Sequence, residues 1–114
     1  MSFTSYEIGQ QGEALVAQYV VGLGWSIEAR NFRGRRGEID LVARHQSRWI
    51  FVEVKTSLGR PPLERLQSRQ IQRIRRAAEE FLQFRGVREE VDMRFDVIWI
   101  WGNTLQLEHC QDAF

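Results

Sequence analysis

Hydrophobic and polar residues follow one another along the chain with periods that predict two helices and five strands. The first helix begins at a capping box, Thr4 to Glu7, and ends near the glycines at 22 and 24. A second helix is predicted over 63–85, where one apolar stripe lies opposite a row of arginines. Strands are predicted over 25–32, 38–44, 49–56, 93–101 and 105–109.

The order α-β-β-β-α-β-β predicts a single α/β (mixed α+β) domain over residues 1–114, with a central sheet and helices packed on it. The 114 residues, 43% hydrophobic and 27% charged, are typical of one globular domain. No apolar run approaches the roughly 18–20 residues of a membrane span, and the N-terminal residues lack a signal-peptide pattern. We therefore expect a cytoplasmic protein with no membrane partner, and Cys110, the only cysteine, forms no intrachain disulfide.

The net charge of +1 conceals two basic blocks. Residues 30–36 carry four arginines, and residues 60–76 carry six arginines against one glutamate. Blocks of this kind on an almost neutral chain predict a surface that faces a polyanion. Arginine binds phosphate with two parallel hydrogen bonds, so a nucleic acid is the expected partner. DNA is the first expectation, and the sequence leaves RNA open. The arginines predicted to contact nucleic acid are Arg30, Arg33, Arg35, Arg36, Arg69 and Arg73.

The strands at 38–44 and 49–56 are predicted to form an antiparallel hairpin because the loop between them is short. A register in which paired residue numbers sum to 93 buries apolar residues on one face. The same register places Asp40 opposite Glu53 and Glu38 opposite Lys55, which is the only lysine of the chain. The apolar pairs are Ile39 with Val54, Leu41 with Val52, and Ala43 with Ile50.

Two facing carboxylates repel each other, and a divalent cation would remove that conflict. Lys55 beside them is suited to orient an attacking water and to stabilise charge on a phosphate. The group therefore favours metal-assisted phosphodiester hydrolysis with Mg²⁺ or Mn²⁺. The alternative is a solvated sheet face with cross-strand ion pairs, which is the commoner meaning of a Glu-x-Lys pattern on a half-exposed strand.

Asp40 followed by Glu53-Val54-Lys55 resembles the D…(D/E)-x-K signature of the PD-(D/E)xK, restriction-endonuclease-like nucleases. More closely, the chain resembles the YraN family of small bacterial endonuclease-like proteins along nearly its whole length. The segments that carry this resemblance are Gly9…Gly12-Glu13 with Ala17, Arg30-Asn31-Phe32-Arg33, 37–43, 51–56 and Arg94-Phe95-Asp96-Val97.

The resemblance implies a restriction-endonuclease-like core similar to archaeal Holliday-junction resolvases, with a mixed five-stranded sheet flanked by helices. It implies that Asp40 and Glu53 are metal ligands and that Lys55 is the catalytic lysine. Glu13 on the first helix would complete the site as a third carboxylate. We therefore expect Glu13 to approach Asp40 and Glu53, with Lys55 on the same side. The chain departs from the family pattern at Ser57, where an arginine is usual, and at Arg69, where a lysine is common.

These residues leave three functions open. The first is a DNA endonuclease, including one that acts on branched or recombination substrates. The second is a non-catalytic nucleic-acid-binding module on a nuclease-like scaffold, and the third is a protein-interaction subunit. A homodimer stays open as well. No catalytic role is assigned to His45, His109 or Cys110.

Several other residues carry structural expectations. Gly9 and Gly12 inside the first helix each cost about 1 kcal/mol relative to alanine, which predicts a close packing contact or a close backbone approach. Residues 33–37 are predicted to form a flexible basic turn. Structural and functional roles both stay open for Asp96, which lies among apolar residues. The tryptophans are predicted to belong to the core or its edge: Trp25, Trp49, Trp99 and Trp101.

Overall fold

A computed structural model of the chain describes residues 4–60 and 66–114. Its elements follow the predicted order α-β-β-β-α-β-β, which confirms the mixed α+β class. Within the described residues, no helix is long and apolar enough to cross a membrane. The elements are α1 (Ser5–Gly22), β1 (Ser26–Arg33), β2 (Glu38–His45), β3 (Arg48–Ser57), α2 (Ser68–Phe84), β4 (Met93–Trp101) and β5 (Gln106–Cys110).

The five strands form one mixed sheet in the order β1-β2-β3-β4-β5. Neighbouring strands are antiparallel except β3 and β4, which run parallel because α2 connects them as a crossover. The strand that carries Glu53 and Lys55 therefore lies in the middle of the sheet. A helix covers each face, so both faces of β3 contact protein along most of its length.

The predicted capping box starts α1. The Thr4 hydroxyl accepts the Glu7 N–H at 3.1 Å, and the Thr4 N–H donates to the Glu7 carboxylate at 3.2 Å. The helix ends before Gly24, which has a positive φ of 87°. Its apolar side packs on one face of the sheet, in a core that includes Val16, Val20, Leu41, Val52 and Ile98.

The second helix begins later than its apolar pattern predicts. Leu66 and Gln67 are described and are not helical, and residues 63–65 of the predicted helix lie outside the described part of the chain. Gln67 caps the helix, with its N–H donating to the Gln70 side chain at 3.4 Å. The apolar spacing includes the half-buried Leu66 and therefore predicts an earlier start. The Gln67 cap instead makes Ser68 the first helical residue. The helix buries Ile74, Ala77, Ala78, Phe81 and Leu82 against the second face of the sheet.

The hairpin of β2 and β3 has the predicted register for most of its length. Its pairs run from Leu41–Val52 to His45–Arg48, and each pair sums to 93. Before Leu41 the two strands separate, and the Asp40 carboxylate accepts the Val54 N–H at 2.7 Å in place of a backbone carbonyl. The predicted pairing of Ile39 with Val54 was therefore wrong. Ile39 belongs instead to the core beneath α2.

The two glycines of α1 differ in their surroundings. A Cβ at Gly12 would lie 3.1 Å from Cγ2 of Thr56 and 3.4 Å from Cγ2 of Ile100, so the predicted close packing is confirmed there. A Cβ at Gly9 would meet nothing within 4 Å, so the prediction was wrong for that residue. Gly12 thus lets α1 approach β3 and β4 closely. Glu13 is the next residue along the helix.

Alanine at these two positions should have opposite effects on the free energy of unfolding. Gly9→Ala should raise it by up to about 1 kcal/mol, because alanine favours the helix and has room. Gly12→Ala should lower it by about 1–3 kcal/mol, because the added methyl overpacks the helix–sheet contact. Urea denaturation of both variants checks this. Equal stabilisation by the two substitutions would show that α1 does not need the close approach.

Candidate active site

The candidate site forms where β2 and β3 separate. Asp40 lies in the gap between the strands, held by its 2.7 Å hydrogen bond from the Val54 N–H. The Glu53 carboxyl hydrogen-bonds to the Asp40 carboxylate. Backbone pairing does not join these two residues, because the ladder ends at Leu41–Val52. The side chains meet as the sequence predicts, and the separated strands leave both half-buried.

Burial and the neighbouring carboxylate change the acidity of Glu53. Burial raises the pKa of its carboxyl most, and the hydrogen bond and negative charge of Asp40 raise it further, to about 8. Lys55 acts in the opposite direction, and Glu38 adds a small increase. Burial beside a second carboxyl group therefore favours the protonated form of Glu53, which is able to donate a hydrogen bond to Asp40.

Lys55 lies two residues beyond Glu53 on β3, so both side chains project from the same face of the sheet. No ion pair of Lys55 occurs among the residues that the structure describes. The expected opposition of Glu38 and Lys55 was wrong because β2 and β3 have already separated there. Glu38 is instead paired with Arg33 of β1, at 3.5 Å.

Glu13 approaches Asp40 from the side of α1. Together with Asp40 and Val54 it lines a cavity of about 40 Å³. Val54 packs toward α1, so the alternation of β3 directs Glu53 to the opposite face. Across residues 4–60 and 66–114, no three His, Cys, Asp or Glu side chains lie close enough together to hold a metal ion. The Asp40 and Glu53 side chains therefore meet. Glu13 lies near Asp40 on the α1 side of the sheet, whereas Glu53 projects from the opposite face.

Asn31 is a further residue of this cavity, and the sequence pattern gave it no role. It lines the wall with Arg30 and Glu13, and its backbone has a positive φ of 52°. Asparagine tolerates this left-handed conformation better than most residues do. Two signals were present in the sequence: Asn31 belongs to the motif Arg30-Asn31-Phe32-Arg33, and asparagine, a poor strand former, stands inside a predicted strand.

The basic turn between β1 and β2, which the sequence predicts to be flexible, is hydrogen-bonded to α2. The Glu80 carboxylate of α2 accepts the N–H of Arg35 at 2.8 Å and the N–H of Arg36 at 3.0 Å. A Cβ at Gly34 would overlap the Glu80 carboxylate, and a Cβ at Gly37 would lie 2.7 Å from the Arg73 carbonyl oxygen. The two glycines therefore allow the turn to dock on α2.

The six predicted arginines do not form one compact group. Arg30 lines the cavity next to Asp40, and Arg33 is paired with Glu38. Arg69 and Arg73 are exposed on the first turns of α2. Gly37 packs beneath Arg73, so these turns lie beside the basic turn.

Asp96 belongs to a separate, structural network. Its fully buried carboxylate accepts two hydrogen bonds from Arg94 at 2.9 Å, one from the Asp112 N–H at 3.0 Å, and lies 2.7 Å from Nε2 of His109. Burial favours a higher pKa, but the hydrogen bonds from His109, Arg94 and Asp112 outweigh it and hold the pKa of Asp96 below its usual value. The network fastens the C-terminal residues to β4.

The tryptophans also lie largely as expected. Trp25 and Trp49 are buried, and Trp99 and Trp101 are half-buried.

Comparison with known proteins shows which family the chain belongs to. Residues 12–100 match the model of a family described as "Uncharacterised protein family UPF0102". The chain belongs to this family. A UPF0102 protein of Chlorobium chlorochromatii is 40% identical over 95% of this chain and 91% of its own. Another, of Shewanella baltica, is 43% identical over 94% of this chain and 98% of its own, and one of Clostridium botulinum is 34% identical over 92% and 88%.

Membership of UPF0102 confirms the resemblance to the YraN family. The relatives' names state no activity. The matched segment contains all four candidate site residues, Glu13, Asp40, Glu53 and Lys55, together with the docked basic turn.

The shared proton predicts an unusual dependence of stability on pH. The pKa of Glu53 rises from 4.5 to about 8 on folding, so between these values the folded chain binds more protons than the unfolded chain. The free energy of unfolding should therefore fall as the pH rises from about 4.5 to about 8. Glu53→Gln removes the titrating group and should flatten this part of the profile.

Urea denaturation at intervals between pH 4.5 and 8.5 measures the effect. Glu89→Gln, at an exposed residue without contact to the pair, is the matched control and should keep the wild-type profile. Parallel profiles for wild type and Glu53→Gln would show that Glu53 holds no proton in the folded chain at neutral pH.

Proposed function

We propose that this UPF0102 protein is a metal-dependent endonuclease that hydrolyses phosphodiester bonds of DNA, including branched or recombination intermediates, in the cytoplasm. The observation that carries the proposal is the Asp40–Glu53 carboxyl pair, with Lys55 next to it on the same face of β3. A half-buried acid pair that retains a proton at neutral pH is costly for stability, and such groups concentrate at functional sites.

The pair fits a hard divalent cation. It offers carboxylate oxygens, which Mg²⁺ and Mn²⁺ prefer, and Mg²⁺ typically takes one or two carboxylates together with substrate phosphates. Asp40 and Glu53 would hold the ion. Ligands bind metal in the deprotonated state, so Glu53 would release its proton on binding. The bound ion would supply Lewis-acid stabilisation of the phosphoryl oxygens and a more acidic water.

Lys55 supplies the second part of the chemistry. Its ammonium group, without an ion-pair partner among the described residues, is free to donate to an attacking water and to the phosphate oxygens as negative charge develops. The exposed arginines of the docked turn would contact neighbouring phosphates and fix the register of the strand. Because they contact the backbone only, cleavage should depend weakly on base sequence.

One observation favours a second function, a non-catalytic nucleic-acid-binding module. Glu13 lies on the other side of the gap from Glu53, and no three-carboxylate group is assembled among the described residues. The basic turn would serve such a module equally well. Cleavage itself must decide between the two functions.

Purified protein should cleave DNA in the presence of Mg²⁺ or Mn²⁺, and two conservative substitutions should abolish most of this activity. Asp40→Asn retains an acceptor for the Val54 N–H but loses the charge that a cation needs. Lys55→Arg retains the positive charge, yet its larger planar group should misplace the water, at a cost of about 100-fold in rate. Both variants should unfold at nearly the wild-type temperature.

The assay uses linear, flapped, single-stranded and four-way DNA with either metal. Wild-type rates in Lys55→Arg would exclude a special catalytic role for the lysine. Salt-sensitive DNA binding without cleavage of any substrate would contradict the nuclease and support the binding module.

A further inference from the structure

An open, polar cleft lies between the basic turn and the C-terminal half of α2. It encloses about 540 Å³, and arginine, glutamate and phenylalanine side chains line it. The cleft is separate from the cavity that Glu13 and Asp40 share, although the turn leads within a few residues into β2 and Asp40. Its lining includes Arg35, Arg36, Arg76, Glu79, Glu80 and Phe84.

The arginines of the cleft are available to a ligand. None of Arg35, Arg36 and Arg76 forms an ion pair with another described residue, and all three are exposed. The Glu80 carboxylate forms no ion pair with their guanidinium groups among the described residues, and both of its oxygens accept backbone N–H groups of the turn. Unpaired guanidinium groups on an anchored backbone are well suited to bind phosphate, since the backbone of the turn needs no further ordering on binding.

Phe84 adds a second kind of contact. It is the last residue of α2, and 78% of it is exposed, the largest exposed fraction among the large hydrophobic residues described. Its ring lies beside Phe32, with centroids 6.4 Å apart, so Phe32 supports it from the protein side. An exposed aromatic ring beside phosphate-binding arginines is the combination that binds single-stranded nucleic acid, because unpaired bases stack on the ring. Paired bases inside a continuous duplex cannot do so.

We propose that this cleft binds an unpaired DNA strand next to the cleaved phosphodiester, with a base stacked on Phe84 and phosphates on Arg35, Arg36 and Arg76. The inference deepens the proposed function and rests on it. It assigns the substrate class: DNA with a single-stranded segment, such as an overhang, a flap or a branch. It also assigns Glu80 as the positioning residue that presents the turn.

Binding without metal ions tests the cleft independently of cleavage. Fluorescence anisotropy in EDTA compares a blunt duplex hairpin with the same hairpin carrying a dT overhang. Wild type should bind the overhang form more tightly, and Phe84→Ala should weaken that binding by about tenfold, the loss expected for one base stack, while blunt-duplex binding stays within about twofold. Tyr6→Ala, at an aromatic residue of α1 that is 72% exposed, is the matched control and should change neither affinity.

Adjacent glutamates of α2 give a second, opposing pair of variants. Removal of a negative charge near phosphates normally tightens binding. Glu79→Gln should follow this rule or have no effect, because no backbone N–H of the turn donates to Glu79. Glu80→Gln should instead weaken binding of the overhang form, because glutamine cannot accept both N–H groups of the turn. Tighter binding by both variants would overturn the positioning role of Glu80.

The outcomes separate the cleft from the nuclease. Equal binding of blunt and overhang DNA by wild type, unchanged in Phe84→Ala, would overturn the single-strand cleft while metal-dependent cleavage could still stand. If wild type cleaves no DNA but still binds the overhang hairpin more tightly than the blunt hairpin, the nuclease is contradicted and the single-strand cleft stands. A concentration-dependent dimer that Phe84→Ala abolishes would assign Phe84 to self-association and overturn the cleft.

Discussion

The hydrogen bond from the Val54 N–H to the Asp40 carboxylate determines the arrangement of the candidate site. A backbone N–H inside a sheet must find an acceptor, and here a side chain replaces the carbonyl of the neighbouring strand. This substitution ends the β2–β3 ladder, so the strands separate and the gap between them opens. Asp40 is held in that gap, where Glu53 hydrogen-bonds to it and Glu13 approaches from α1. The fold and the site therefore depend on the same carboxylate.

Three buried or half-buried carboxyl groups illustrate how differently the chain treats negative charge. Asp96 is surrounded by donors, and the pKa of its carboxyl is lowered. Glu80 accepts two backbone N–H groups and thereby fixes the basic turn. Glu53 has a second carboxylate as its hydrogen-bond partner, and burial with that partner raises its pKa to about 8. Asp96 and Glu80 stabilise the fold, whereas the Asp40–Glu53 pair is an arrangement that a cation would relieve.

The sequence pattern predicts the features of this chain that depend on local periodicity. The capping box, the strand order and the register of Leu41 with Val52 follow from it because apolar pairing permits only one alignment. The same alignment predicts that Asp40 and Glu53 meet, although their backbones do not pair because the ladder ends at Leu41 and Val52. Membership of the YraN family follows from motifs spread along the chain.

Features that depend on contacts between distant elements were not predictable in this way. Glu80 accepts the Arg35 N–H from 45 residues away in the sequence, and no pattern within either segment predicts that contact. Ile39 packs on the α2 side of the sheet because the two strands separate where Asp40 accepts the Val54 N–H. The left-handed backbone of Asn31 and the place of Glu13 across the gap from Glu53 are likewise tertiary features.

We propose that Asp40 and Glu53 form one proton-sharing pair that a divalent cation can occupy. The most direct measurement is ¹³C NMR titration of the Glu53 side-chain carboxyl, with and without Mg²⁺. We predict a midpoint near 8 in the absence of metal and a clear downward shift when Mg²⁺ is added, because bound cation and proton compete. A midpoint near 4.5 that Mg²⁺ does not change would contradict both the shared proton and the metal site.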